Sequence, residues 1–196
     1  MTDPGMLISS LKHILIHPAT AWENINKENH SVKTVNRSFL VPVLILVSLS
    51  AFTGSLIYNP SGLSVLYPLT RAVKHFACFY LTILLSSWLL NEISAALIKT
   101  RDYPFNFRLV TYSLSPLLTT VFITRLIPDL ALINILGLYG AYILYCGLNT
   151  IENIKKRDLI RYFIVALPLI LVIYFFISWI SRTLLESVYF AFAGNI

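Results

Sequence analysis

The chain has 196 residues, of which 57% are hydrophobic and 12% are charged, and its mean hydropathy is +0.74. Soluble domains carry about 25% charged residues, so this composition excludes an ordinary soluble globular protein. The net charge is +6, but the basic residues lie in short segments between apolar runs. That distribution is typical of loops flanking membrane spans, and we expect no nucleic-acid partner.

The first element along the chain is an amphipathic N-terminal segment. In MLISSLKHILI, residues 6–16, apolar side chains recur at helical spacing with Ser, Lys and His between them. This pattern predicts a helix that lies flat on the membrane surface. A helix packed against the rest of the protein is the alternative interpretation.

Five apolar runs follow, and each is long enough to cross a bilayer core of about 30 Å, which needs about 20 apolar residues. They are Ser38–Tyr58, Val73–Ile98, Phe107–Ile127, Leu130–Thr150 and Leu159–Ile180. Pro116 interrupts the third run, where it frees a backbone carbonyl and predicts a kink.

These runs predict an all-α membrane protein, a bundle of five transmembrane helices. Residues 1–37 form a short amphipathic cytoplasmic segment, residues 38–181 the membrane domain, and residues 182–196 an extracytoplasmic interfacial tail that is too short to cross.

The distribution of Lys and Arg predicts the orientation. Most of the cations lie in the N-terminal region and in the second and fourth loops, whereas the opposite side holds only Arg71, Lys74, Arg125 and Arg182. Because cations mark the cytoplasmic side, we expect the N-terminus in the cytoplasm and the C-terminus outside it.

Glu92 is the one acidic residue well inside a predicted span. Its expected partners are Arg108 and Tyr112, which lie at the cytoplasmic start of the antiparallel third helix. An intramembrane carboxylate is expensive and marks a candidate polar site. The pair either fixes the second helix against the third or serves a proton or ion relay or a headgroup contact.

The fourth run contains small residues at helix-packing spacing. Gly137 and Ala141 form a small-xxx-small pair with Gly140 beside it, which lets two helix backbones approach closely. Tyr139 and Tyr142 share a face nearby. We expect them to fill the gaps that the glycines leave, and a polar path lined by their hydroxyls is the alternative.

No catalytic or cofactor-binding motif is present in the sequence. It has no G-x-S-x-G elbow, HExxH motif or Walker loop, and His13, His17, His30 and His75 lie at spacings that match no metal site. We therefore expect neither enzymatic activity nor a cofactor nor a metal. Cys78 and Cys146 are predicted to lie at different depths and to remain free thiols.

The combination of HPATAW and INKEN near the N-terminus, YSLSPLL in the third run and LYGAYILYCGL before a basic loop resembles the Yip domain family of Ypt/Rab-interacting proteins. The resemblance covers nearly the whole chain and extends to the compact bacterial branch of YohC-like inner-membrane proteins. It implies an integral protein of the bacterial inner membrane. The longer cytoplasmic region and the DLYGP motif of the Rab-binding members are missing, so a Rab-type GTPase is not an expected partner.

In this resemblance, HPATAWENINKEN is the N-terminal signature, in which Pro18 opens a short helix and fixes its first turn. Trp22 and Ile25 then share one face, with the indole at interfacial depth. The segment is expected to seat the bundle in the membrane, and docking of a partner or of lipid headgroups is the alternative.

The sequence thus favours a non-enzymatic membrane-organising scaffold that interacts with the lipid bilayer, with other membrane proteins or with a second copy of itself. The alternative function is a small transporter or an ion or proton channel. It would use Glu92 and the polar faces of the third and fourth helices, including Pro116, Tyr139 and Tyr142.

Overall fold

A computed structural model describes residues 11–58, 65–99, 101–151 and 154–193, with side chains up to residue 184. Helices make up almost all of this part of the chain, and it contains no strand. The helices, numbered here in chain order, are α1 (Pro18–Glu28), α2 (Val32–Ile57), α3 (Leu66–Leu97), α4 (Tyr103–Ser113), α5 (Ser115–Leu126), α6 (Tyr139–Leu148) and α7 (Lys156–Ala193). A 3₁₀ segment, Pro128–Leu138, precedes α6.

Five helical units in the described chain are long and apolar enough to cross a membrane, which confirms the predicted five-helix membrane bundle. They are α2, α3, α4 with α5, the 3₁₀ segment with α6, and α7. Several units begin before the predicted run, because the helices continue through polar and aromatic residues at the edge of the apolar stretch.

Local signals explain where these helices begin. The Ser31 hydroxyl accepts the Thr34 N–H at 3.2 Å before α2, and the Asp102 carboxylate accepts the Phe105 N–H at 2.9 Å before α4. Both are N-caps that satisfy a backbone donor left free in the first turn. Pro18 begins α1, as predicted, because proline suits the first helical turn.

The third span is interrupted between α4 and α5. Leu114 lies between the two helices with φ −83° and ψ −4°, two residues before Pro116. Pro116 has no N–H to continue the ladder from the preceding turn, which accounts for an interruption at this position. The fourth span differs from the expected single α-helix, since its first half is the 3₁₀ segment.

The spans pack so that α3 is central. It contacts α2, α4 and α7, while α2 also packs on α5, and α6 lies between α1 and α4. One large apolar core joins residues from all of these helices. Its fully buried side chains include Leu44, Phe79, Ile83, Leu118 and Ile143.

The N-terminal segment belongs to this packed unit. Residues 11–16 are helical, and Ile14 is 1% exposed within the main core. The alternative interpretation, a helix packed against the rest of the protein, describes these residues, because Ile14 reaches apolar partners in the bundle. Their position relative to the membrane surface stays a prediction. The beginning of the predicted amphipathic stretch, residues 6–10, lies outside the described residues.

At the other end of the chain, α7 continues without a break through the predicted tail as far as Ala193. A helix of 38 residues is about 57 Å long at 1.5 Å per residue, which exceeds the bilayer core of about 30 Å. The tail is thus an extension of the fifth helix rather than a separate element, and residues 194–196 lie outside the described part.

Candidate functional site

The N-terminal helix α1 is anchored in the bundle by Trp22. Its side chain is 0% exposed, and the indole Nε1–H donates to the Ile143 carbonyl oxygen of α6 at 2.9 Å. The indole also lies edge-on to Tyr112, with 5.9 Å between ring centroids. The indole thus lies inside the packed protein, and its interfacial depth in the membrane stays a prediction. A buried indole needs a hydrogen-bond partner, and the α6 carbonyl supplies one inside the protein. Ile25 is partly buried against the same core.

Gly147 in α6 makes room for this indole. A Cβ atom added at Gly147 would lie 2.7 Å from Trp22 Cε2 and Cζ2 and 2.6 Å from Leu109 Cδ1. The absence of a side chain at Gly147 thus allows α1 and α4 to pack against α6. Sequence reasoning missed Gly147, although its spacing of seven from Gly140 places both glycines on related faces of a helix.

Arg108 links α4 to the end of α1. It is 3% exposed, and its Nη1 donates to the Asn29 Oδ1 at 2.8 Å and to the His30 carbonyl oxygen at 2.7 Å. Asn29 ends α1 in the left-handed conformation, with φ 41°, which asparagine tolerates better than most residues. Among the described residues, no carboxylate lies within ion-pair distance of Arg108.

A polar cavity of about 260 Å³ lies beside Arg108, among α1, α3, α4 and the loop after α6. Asn106 lines it and is held from three directions. Its Oδ1 accepts the Tyr162 hydroxyl at 2.7 Å, and its Nδ2 donates to the Asp102 carbonyl oxygen at 3.0 Å and to the Ser94 Oγ at 3.3 Å. These bonds connect α3, α4 and α7 at the predicted cytoplasmic end.

Glu92 does not contact Arg108. Its carboxylate is hydrogen-bonded instead to Arg101, in the loop after α3, and the two side chains are 45% and 63% exposed. The predicted pairing is wrong because the Arg108 guanidinium turns towards α1, while Arg101 lies nearer in sequence. Tyr112 is buried against Trp22 and Phe39, so the three residues of the predicted polar site are not brought together.

Gly137 and Gly140 of the fourth span lie at close contacts with the third span. A Cβ atom at Gly140 would collide with the Ser113 carbonyl oxygen, and one at Gly137 would lie 2.9 Å from the Leu117 Cδ1. Ala141 is partly buried. Tyr139 and Tyr142 are 37% and 50% exposed, so their rings face outwards, where they neither fill the gaps beside the glycines nor line an interior path.

A second polar cavity lies at the opposite end of the bundle, and it is lined by cations. Its volume is about 380 Å³, and its walls come from α3, α5 and α7. We call it the cationic cavity, defined by Arg71, Lys74, Arg125 and Arg182 with neighbouring residues that include His75 and Tyr174. No Asp or Glu is among the described residues that line it.

These four cations are the ones that the sequence places on the side predicted to be extracytoplasmic. Sequence reasoning used them only to orient the chain and missed their convergence. The available signal was the presence of cations in segments where membrane proteins carry few of them. Their convergence depends on how α3, α5 and α7 are arranged in space, which the sequence does not reveal.

Comparison with known proteins identifies the family. The family model of the Yip1 domain matches residues 12–180. The chain belongs to the Yip1 domain family. No curated protein and no solved structure gives a significant match.

The Yip1 domain match extends over both the N-terminal segment and the membrane spans. It begins at residue 12 and therefore includes α1, so the helix that carries Trp22 is part of the domain. With five helices able to cross a membrane, this Yip1-family chain is an integral membrane protein. The described residues contain no group of three His, Cys, Asp or Glu side chains that could hold a metal ion.

Proposed function

We propose that this Yip1-family protein is a non-enzymatic membrane-organising scaffold, a module that binds lipid and other membrane proteins rather than moving solutes. The expected partners are the bilayer, other membrane proteins and a second copy of the chain, and not nucleic acid or a Rab-type GTPase. The resemblance to the compact bacterial branch implies a bacterial inner membrane as its location. We propose that its N-terminus lies in the cytoplasm and its C-terminus outside, since the cations concentrate on the N-terminal side.

One observation carries the proposal, namely that the two polar cavities lie at opposite ends of α3 and are separated by packed apolar side chains. Ser94 lines one cavity and Cys78 the other, about 24 Å apart along the helix. Between them the core is filled by fully buried side chains, which include Phe79, Ile83, Leu90 and Leu118. A filled interior favours a scaffold over a conduit.

Two of the three buried hydroxyls in the same stretch of α3 also support this interpretation. Thr82 donates to the Cys78 carbonyl oxygen at 2.7 Å, and Ser87 donates to the Ile83 carbonyl oxygen at 2.6 Å, whereas the Ser86 hydroxyl has no partner among the described residues. The Thr82 and Ser87 hydroxyls are thus satisfied within their own helix and are not directed towards a shared polar path.

The transporter or channel alternative depends on Glu92 and on the tyrosine face of the fourth span. Glu92 lies in an exposed ion pair with Arg101 near the end of α3, and the rings of Tyr139 and Tyr142 face outwards. These positions argue against a shared transport pathway through the bundle.

Purified protein reconstituted into liposomes separates the two functions. A pH-sensitive dye and a potassium diffusion potential would report proton flux, and parallel vesicles would report potassium flux. We expect both fluxes to equal those of protein-free liposomes. Flux that depends on the protein and disappears in Glu92→Gln would overturn the scaffold and establish the transporter.

The same vesicles provide a positive test of membrane organisation. Cryo-electron microscopy at increasing protein-to-lipid ratio measures vesicle curvature and the lateral clustering of the protein. A scaffold is expected to change at least one of them as its density increases. Vesicles that keep the shape of protein-free controls, with the protein randomly dispersed, would contradict the proposal.

A further inference from the structure

We propose that the cationic cavity and the apolar groove next to it together bind one anionic phospholipid, with the phosphate in the cavity and an acyl chain in the groove. This inference rests on the proposed function and names the class of lipid that the scaffold holds. The chemistry recognised is a phosphate ester, and the groove identifies its source as a lipid rather than free phosphate.

Three cations from two helices converge in the cavity. Arg71 and Lys74 come from α3 and Arg125 from the last turn of α5, and all three side chains are partly buried. None of the three forms an ion pair with a carboxylate within the described chain. Like charges held together repel one another, so a bound anion would relieve this repulsion.

Arg125 shows most directly that a partner fits here. Its Nε atom is buried and has no hydrogen-bond partner among the described residues. Phosphate oxygens match the planar donors of a guanidinium group and accept charge-assisted bonds from it. A phosphate in the cavity would satisfy this donor and would also neutralise the neighbouring Arg71 and Lys74.

The depth of the cavity suits a headgroup. Arg71 and Lys74 lie three residues apart and therefore on one face of α3, with Lys74 about 12 Å from the beginning of the helix. Since α3 has 32 residues, it is about 48 Å long and extends beyond a bilayer core of about 30 Å. Its first turns thus reach the headgroup region.

An apolar groove continues from the cavity between α3 and α7. Its volume is about 380 Å³, and Lys74 lines both the groove and the cavity. Leu69, Val73 and Ala77 form a stripe along α3 at a spacing of four residues, opposite Leu184 of α7. An acyl chain lying along this stripe would bring its own phosphate towards Lys74, whereas free phosphate has no apolar part that would occupy the groove.

Native mass spectrometry of the full chain in mild detergent tests the headgroup part of the proposal. The probes are phosphatidylglycerol, which is anionic, and phosphatidylcholine, which is zwitterionic. We expect phosphatidylglycerol to bind with a stoichiometry of one and to out-compete phosphatidylcholine. Removing one cation, in Lys74→Gln or Arg125→Gln, should weaken its binding about fivefold.

Matched controls remove the same charge elsewhere. Lys156 and Arg37 are exposed and lie outside the cavity, so Lys156→Gln and Arg37→Gln should bind phosphatidylglycerol like the parent. If Arg125→Gln does not fold, Arg71→Gln tests the same charge, and Arg125→Lys should retain most of the binding. Equal binding of both lipids, or equal losses in cavity and control variants, would overturn the proposal.

The groove is tested by adding bulk to it. Ala77→Phe should reduce phosphatidylglycerol binding, whereas Ala96→Phe, at an exposed position near the other end of α3, should not. Inorganic phosphate at millimolar concentration should not displace the lipid. Displacement by phosphate together with normal binding by Ala77→Phe would show that the site takes free phosphate, which overturns the lipid assignment.

The two proposals can fail separately. Failure of phosphatidylglycerol to bind would reject the lipid site and leave the liposome flux and curvature results unaffected. Flux that depends on Glu92 would reject the scaffold, whatever the cavity binds.

Discussion

The contact between Trp22 and Gly147 allows a quantitative test of whether the N-terminal helix is part of the packed domain. Trp22 is fully buried and hydrogen-bonded to α6, so Trp22→Ala leaves a large cavity and removes that hydrogen bond. Truncation of a buried aromatic side chain costs about 3–5 kcal/mol. At about 2–4 °C per kcal/mol for a chain of this size, the melting temperature should fall by roughly 6–20 °C.

The reciprocal change at Gly147 tests the same contact from the other side. A Cβ atom there would lie within 2.7 Å of the indole, so Gly147→Ala should destabilise the protein by about 1–3 kcal/mol, as overpacking does. In a Trp22→Phe background the added methyl group has more room, and the penalty should shrink by about 0.5 kcal/mol or more.

The assay can use the protein's own thiols. Cys78 and Cys146 are free and buried, so a thiol-reactive fluorophore reports unfolding in detergent without depending on tryptophan fluorescence. Trp179→Ala is the matched control, because Trp179 is 66% exposed. Two results would contradict this packing of α1. One is an equal melting temperature for Trp22→Ala and Trp179→Ala. The other is strict additivity of the stability losses of Trp22→Phe and Gly147→Ala in the double variant.

Three further predictions concern the rest of the bundle. Gly140→Ala should lower stability by about 1–3 kcal/mol because its Cβ would collide with the Ser113 carbonyl, and an unchanged melting temperature would refute that close approach. In double-mutant cycles based on leucine variants, Glu92 should couple to Arg101 by at most about 1 kcal/mol, since the pair is exposed, and should not couple to Arg108. Measurable coupling to Arg108 would instead restore the predicted pairing. Alkaline phosphatase fused to the C-terminus should be active and a cytoplasmic reporter there inactive, and the reverse result would exclude the proposed orientation.

The number of membrane-crossing helical units could be predicted from the sequence because hydropathy acts locally. A run such as Ser38–Tyr58 needs only its own composition to indicate a helix that crosses a membrane, and the corresponding helix is α2. The same holds for the first turn of α1, since proline fixes its own backbone angle wherever it stands.

The side-chain partners could not be predicted in the same way, because they depend on how helices are arranged in space. Trp22 suits an exposed helix face and a buried site with a carbonyl acceptor equally well, and only the position of α6 shows that it is buried. Two arginines near the loop after α3, Arg101 and Arg108, were possible partners of Glu92. The docking of α1 determines that the Arg108 side chain turns away from Glu92. Arg71, Lys74 and Arg125 lie far apart in the sequence, so no local pattern reveals the cavity they share.

The most direct test of the proposed lipid site is to identify the lipid that remains with the protein after purification from its membrane in mild detergent. Quantitative lipid analysis should find anionic phospholipid enriched over the bulk membrane, at about one molecule per chain. The enrichment should be lost in the Lys74→Gln/Arg125→Gln variant and retained in Lys156→Gln/Arg37→Gln. If the parent and both double variants retain lipid of the same composition as the bulk membrane, the proposed lipid site is contradicted.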